Sequence, residues 1–198
     1  MAEVIVSDLE RLLAEIAVCR ICEGQIPEPR PVLRGTSRAR LLIIGQAPGS
    51  KVHASGKPWD DASGSRLRAW MGLTDAEFYD PSLVAIVPMG FCYPGRGKSG
   101  DLPPMPVCAP TWHHQILQHL QNIECTLLIG LNAQRHYLAD APTRLTDTVE
   151  NWRNYAPSQF VIPHPSPRNQ LWLRRNPWFE KNIVPALQGR VRAIMQAA

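Results

Sequence analysis

The stretch ARLLIIGQAPGSKVHASGKPWDDASG, residues 39–64, runs from an unbroken apolar segment straight into a loop dense in Gly, Pro and polar side chains. A short apolar run rich in Leu and Ile reads as a strand covered on both faces. A strand that had only to turn would need two or three residues. This one presents Gly45, Gln46, Ala47, Pro48 and Gly49, then His53, Trp59, Asp60 and Asp61. Small and rigid residues let backbone amides approach an anion closely, and here acids stand just behind them. The loop reads as a binding element carried on the end of a buried strand.

Three further runs of the same kind follow: LVAIVPMGF (83–91), CTLLIGL (125–131) and SQFVIPH (158–164). Helical periodicity lies around and between them, in residues 7–19, 63–73, 109–123, 132–140 and 143–155, and in 176–196 with an interruption near Pro185. Ser7 reads as the N-cap of the first helix, with Leu9, Leu12, Leu13 and Ile16 on one face. Strands alternating with helices predict an α/β fold, a three-layer α/β/α sandwich around a central four-stranded parallel sheet, as one domain over residues 1–198. In such sheets ligands bind at the carboxyl ends of the strands. The four runs end in GQAPG, PMGFCYPG, GLNAQ and HPSPRN, so the active face is expected there.

A chain of 198 residues has room for a full core without staples. Its 19 prolines are about twice the usual share, which stiffens many connections. The net charge of +4 favours a polyanionic partner, and residues 168–192 hold six Lys or Arg against the single acid Glu180. No apolar run is long enough for a membrane span, and the acidic, amphipathic N-terminus lacks the pattern of a signal peptide. The expected location is cytoplasmic and the expected state a monomer. In a reducing compartment five cysteines are thiols or metal ligands before they are disulfides. Cys19 and Cys22 form a C-x2-C pair, and Cys92 and Cys108 close a loop with fifteen residues between them. Two separated pairs suit one four-coordinate site. Cys125, which begins an apolar run, reads as buried and inert, and His113 and His114 read as surface residues of a helix.

This combination of cysteine spacing, GQAPG and HPSPRN resembles the uracil-DNA glycosylase superfamily, most closely its iron–sulfur branches, families 4 and 5, from Cys19 to about Trp178. The resemblance implies a [4Fe–4S] cluster on Cys19, Cys22, Cys92 and Cys108, although four thiolates serve zinc equally well. It also implies that His164 stabilises the departing base anion, that Trp59 in GKPW stacks on the flipped base, and that Arg168 enters or flanks the duplex. The loops of Gly45–Gly49 and of His164, Ser166 and Pro167 would grip phosphates.

Two departures mark the chain. Family 4 carries a carboxylate in GEAPG where this sequence has Gln46, and family 1 carries an Asp where Ala47 stands. Family 5 supplies an Asp from D-x-S-G, matched here by DASG (61–64), which makes Asp61 the expected catalytic acid, with Asp60 and His53 in reserve. The alternative role for Asp61 is to cap the helix beginning near Ser63. Pro88 replaces the Asn that reads uracil in family 4, which leaves base recognition to the backbone of Met89, Gly90 and Phe91. The expected function is hydrolysis of the N-glycosidic bond of uracil or a related deaminated base in single-stranded or mismatched DNA, in base excision repair. The alternative is a damage-binding protein on the same fold without cleavage.

Overall fold

A computed structural model describes residues 7–197. Met1–Val6, part of the N-terminal stretch read above, lie outside the described residues.

The chain begins with α1 (Asp8–Ala17), started by a reciprocal cap in which Ser7 accepts from the Glu10 N–H and the Glu10 carboxylate accepts from the Ser7 N–H. Leu9, Leu12 and Ile16 are buried, as the periodicity predicts. The proline-rich connection follows, and within it Arg34 makes an isolated antiparallel bridge to Ile86. Strand β1 (Leu41–Ile44) leads to α2 (Ser50–Ser55), α3 (Ala62–Met71), α4 (Asp75–Phe78) and β2 (Val84–Ile86). The cysteine loop carries a small hairpin, β3 (Arg96–Gly97) and β4 (Gly100–Asp101), and ends in α5 (Cys108–Gln118). After it come β5 (Cys125–Ile129), α6 (Leu131–Tyr137), α7 (Leu145–Glu150), β6 (Gln159–Ile162), α8 (Gln170–Arg175) and α9 (Val184–Gln196).

The central sheet has the order β2-β1-β5-β6 and every pairing is parallel. Helices cover both sides, as the alternation predicts. All four residues of β1 are buried, at about 1.5–3 kcal/mol for each large aliphatic side chain removed from water. Each strand is shorter than the apolar run that announced it. Residues such as Val87 and Phe91 are apolar because they pack beyond the ladder, not within it.

Pro185 falls in the first turn of α9, directly after a wide π-helical turn at Phe179–Ile183, so the interruption costs no regular hydrogen bond. The hairpin, α2, α4 and α8 were not predicted. All are short, of two to six residues, and none is long enough to show a sustained period.

His113 is a correction. It was expected at the surface with His114, yet it is 2% exposed while His114 is exposed. Its Nε2–H donates to the Pro88 carbonyl (3.0 Å), its Nδ1 accepts from the Tyr137 hydroxyl, and its ring stacks on Phe91. The helix turns this histidine inward, where it joins α5 to α6 and to the end of β2. Burial lowers its pKa from 6.5 to about 4. Between those values the unfolded chain takes up a proton that the folded chain refuses. Stability from this group is therefore complete above pH 6.5 and lost as the pH falls towards about 4, by roughly 3 kcal/mol. Denaturation midpoints across that range should fall in the wild type and fall less in His113→Gln.

Candidate active site at the strand carboxyl edge

Because the four strands are parallel, the loops leaving β1, β2, β5 and β6 emerge at one edge. There they enclose a cavity of about 400 Å³, which adjoins a second hollow of about 240 Å³. Gly45, Gln46, Ala47, Pro48, Gly49, Trp59, Asp61, His164, Ser166 and Arg168 line the cavity, so residues expected to act together from 45 to 168 do meet.

Trp59 is held under strain. Its φ of +58° is unusual for a residue with a Cβ. The Arg68 guanidinium and the Tyr79 hydroxyl both donate to its carbonyl, each at 3.3 Å. Its ring lies so close to Gly45 that a Cβ there would stand 2.8 Å from Cζ2. The ring centroid is 5.5 Å from that of His164, tilted by 33°. Trp59 and His164 therefore form adjoining walls.

His164 follows β6 between Pro163 and Pro165. Its Nδ1 accepts the backbone N–H of Ser166 (3.2 Å), so in the neutral ring the proton sits on Nε2. Asn169 donates to the His164 carbonyl (2.7 Å) and fixes the turn. Burial lowers the imidazole below its ordinary value of 6.5, against the opposing pull of Asp61 and then Asp101. The ring is thus a neutral hydrogen-bond donor with two carboxylates in its field.

Asp61 caps α3: its Oδ1 accepts the Gly64 N–H at 2.8 Å. Capping and cavity lining coincide in one side chain, so the two sequence readings do not exclude each other. Gln46 donates from Nε2 to the Leu102 carbonyl (3.3 Å), tying the β1 loop to the hairpin. Asp60 is exposed and does not line the cavity.

Several expected residues stand elsewhere. His53 faces Glu28, 3.2 Å from its carboxylate, and tilts against Tyr93 outside the cavity lining. The N–H groups of Met89, Gly90 and Phe91 are already spent, on Gly45 O (2.9 Å), Gln46 O (2.9 Å) and Cys108 Sγ (3.4 Å). They fasten the loops, and none of the three residues lines the cavity. Pro167 opens a 3₁₀ turn and lies outside the lining. The GLNAQ loop supports the site from beneath: buried Gln134 donates to the carbonyls of Leu128 (3.2 Å) and Ile162 (3.1 Å), clamping β5 to β6.

Among the lining residues the sequence reading missed are Tyr93, Arg96 and Asp101. All belong to the loop between Cys92 and Cys108. Gly97 and Gly100, paired across a two-residue turn, were the available signal. Arg168 donates to the Ser99 carbonyl (3.1 Å), and a Cβ on Gly100 would sit 2.1 Å from its Nη1. Its guanidinium is thus engaged by the hairpin and latches it to the His164 loop.

Cys19, Cys22, Cys92 and Cys108 line one hollow of about 20 Å³ with Pro29, Pro31 and Phe91. Burial raises the Cys92 thiol to about 11 and Cys108 to about 12, and the neighbouring thiols add to both shifts. The Phe91 N–H opposes the second by bonding the Cys108 sulfur (3.4 Å). Among the described residues no group of three or more Cys, His, Asp or Glu is arranged to hold a metal ion. Cys125 is fully buried in β5, as expected.

A Cβ on Gly64 would lie 1.7 Å from the Trp59 carbonyl oxygen. Gly64→Ala should destabilise the protein by about 1–3 kcal/mol in denaturant titrations and shift the Trp59 fluorescence, because the strained turn must open. Beyond this geometry, a family model described as uracil DNA glycosylase superfamily matches residues 33–188, a span that takes in Gln46, Trp59, Asp61, Asp101 and His164 and leaves Cys19 and Cys22 outside.

Proposed function

The chain belongs to the uracil DNA glycosylase superfamily, and on that premise we propose that it hydrolyses the N-glycosidic bond of uracil or a related deaminated base in DNA, without lyase chemistry, for base excision repair. The family assignment supports DNA-glycosylase chemistry and DNA as the partner. Among the described residues no helix is long and apolar enough to cross a membrane.

The observation that carries the reading is the fixed tautomer of His164. Departure of the base leaves negative charge on it and positive charge on the sugar. A neutral Nε2–H, with Nδ1 already engaged by Ser166, is a preorganised donor for the anion. Asp61 supplies negative charge to the cation, and its cap bond keeps it in place. Trp59 forms the stacking wall, and the Gly- and Pro-rich loops meet the backbone phosphates. Gln46 carries no charge and bridges the β1 loop to the hairpin, so it acts as a positioning residue. That same neutral Gln46 is what favours the second reading, a damage-binding protein that does not cleave.

For the cysteines we propose a [4Fe–4S] cluster. Its support is that four thiols line one hollow and that the Cys108 sulfur receives the Phe91 N–H. When bound, such a group supplies a cross-link between the end of α1 and both ends of the hairpin loop, and no bond-making step needs it.

Purified protein should release free uracil from single-stranded and G·U oligonucleotides, and His164→Ala should slow single-turnover release by about a hundredfold. Binding of both oligonucleotides without release would establish the second reading. Because the His164 pKa is lowered, its neutral form survives below pH 6.5, so the rate should hold as the pH falls through that value and decline only below it. Anaerobically prepared protein should contain iron and sulfide and be brown, with Cys125→Ser unchanged. Zinc instead of iron would replace the cluster, and neither would remove the quartet reading.

A further inference from the structure

Asp101 is an acid of the cavity that the mechanism above leaves unused. It stands on β4 and lines both the 400 Å³ cavity and the 240 Å³ hollow beside it. A Cβ built on Gly49 would lie 3.4 Å from its Oδ2, which places the carboxylate against the loop that follows β1. The side chain is exposed and makes no ion pair among the described residues. Asp61, by contrast, has one oxygen committed to the Gly64 N–H. The hairpin beneath Asp101 is fixed by two bonds from opposite sides, Arg168 to Ser99 and Gln46 to Leu102.

We propose that Asp101 is a second catalytic carboxylate, the one that orients the attacking water and takes its proton, while Asp61 serves as a fixed charge beside the sugar. The inference rests on the glycosylase reading above. In the step, the water oxygen forms a bond to C1′ as the C1′–N bond breaks. The electron pair of that bond leaves with the base, whose anion is held by the Nε2–H of His164. The water proton passes to Asp101 and then to solvent, from which the base regains one. Two unengaged oxygens suit this role, because a water must be held by one and give its proton to the same group. A carboxylate fixed at a helix N-terminus suits the other role, because its charge and position stay constant through the reaction.

The test compares Asp101→Asn, Asp101→Ala and Asp61→Asn with wild type for single-turnover uracil release and for binding of the same uracil-containing single strand. Asp101→Asn should lose about a hundredfold in rate with binding within twofold of wild type. Added formate should restore part of the Asp101→Ala rate and none of the Asp61→Asn rate, a readout that a purely structural role would not move. Near wild-type release by Asp101→Asn, or an Asp101→Ala variant that formate leaves unchanged, overturns the proposal and leaves the glycosylase reading standing. Wild-type protein that binds the strand and never releases uracil overturns both.

Discussion

The parallel pairing of β1 on both of its sides is the constraint from which the site follows. Its partners β2 and β5 run in the same direction, and β6 extends the pattern. Parallel neighbours cannot be joined by a tight turn, so each connection must cross over the sheet and carry helices with it. The same arrangement delivers every strand's carboxyl end to one edge. Were β6 reversed, His164 would stand at the opposite edge from Trp59, and the cavity would have no second wall.

Around that edge the structure spends its unusual conformations and buried polar groups on keeping walls in place. The positive φ of Trp59 persists because Arg68, Tyr79 and the bare Cα of Gly64 all accommodate its carbonyl. Gln134 clamps the ends of β5 and β6, directly below His164. Strain and buried polar contacts of this kind are tolerated where geometry must be held closely. The cavity is correspondingly a meeting of rigid pieces.

Much of this was legible in the sequence, and the reasons differ from residue to residue. The sheet could be read because its four strands are covered on both faces and so are continuous in their apolar character. Gln46 and His164 could be read because they stand just past strand ends, where sequence position fixes spatial position, and Trp59 and Asp61 because GKPW and DASG follow close behind β1 and open α3. Asp101 and Arg96 could not, since a hairpin inside a long loop can fold over any of several surfaces. His113 misled because helix periodicity places a residue on a face without saying what polar partners that face will meet. Met89–Phe91 differ for the converse reason: their backbone was expected to face a base, and its N–H groups are instead taken by the β1 loop and by the Cys108 sulfur.

The separation of the walls along the chain has a consequence for how the molecule comes into being. The Arg66 guanidinium reaches the Ser166 carbonyl across 100 residues of sequence, and the Trp59 and His164 walls are slightly farther apart. Contacts so distant are made late in folding, after the entropy of closing long loops has been met. During synthesis the GQAPG loop and both acids leave the ribosome well before β6 exists. A nascent chain therefore has no second wall to hold a base until β6 has been made and has joined β5.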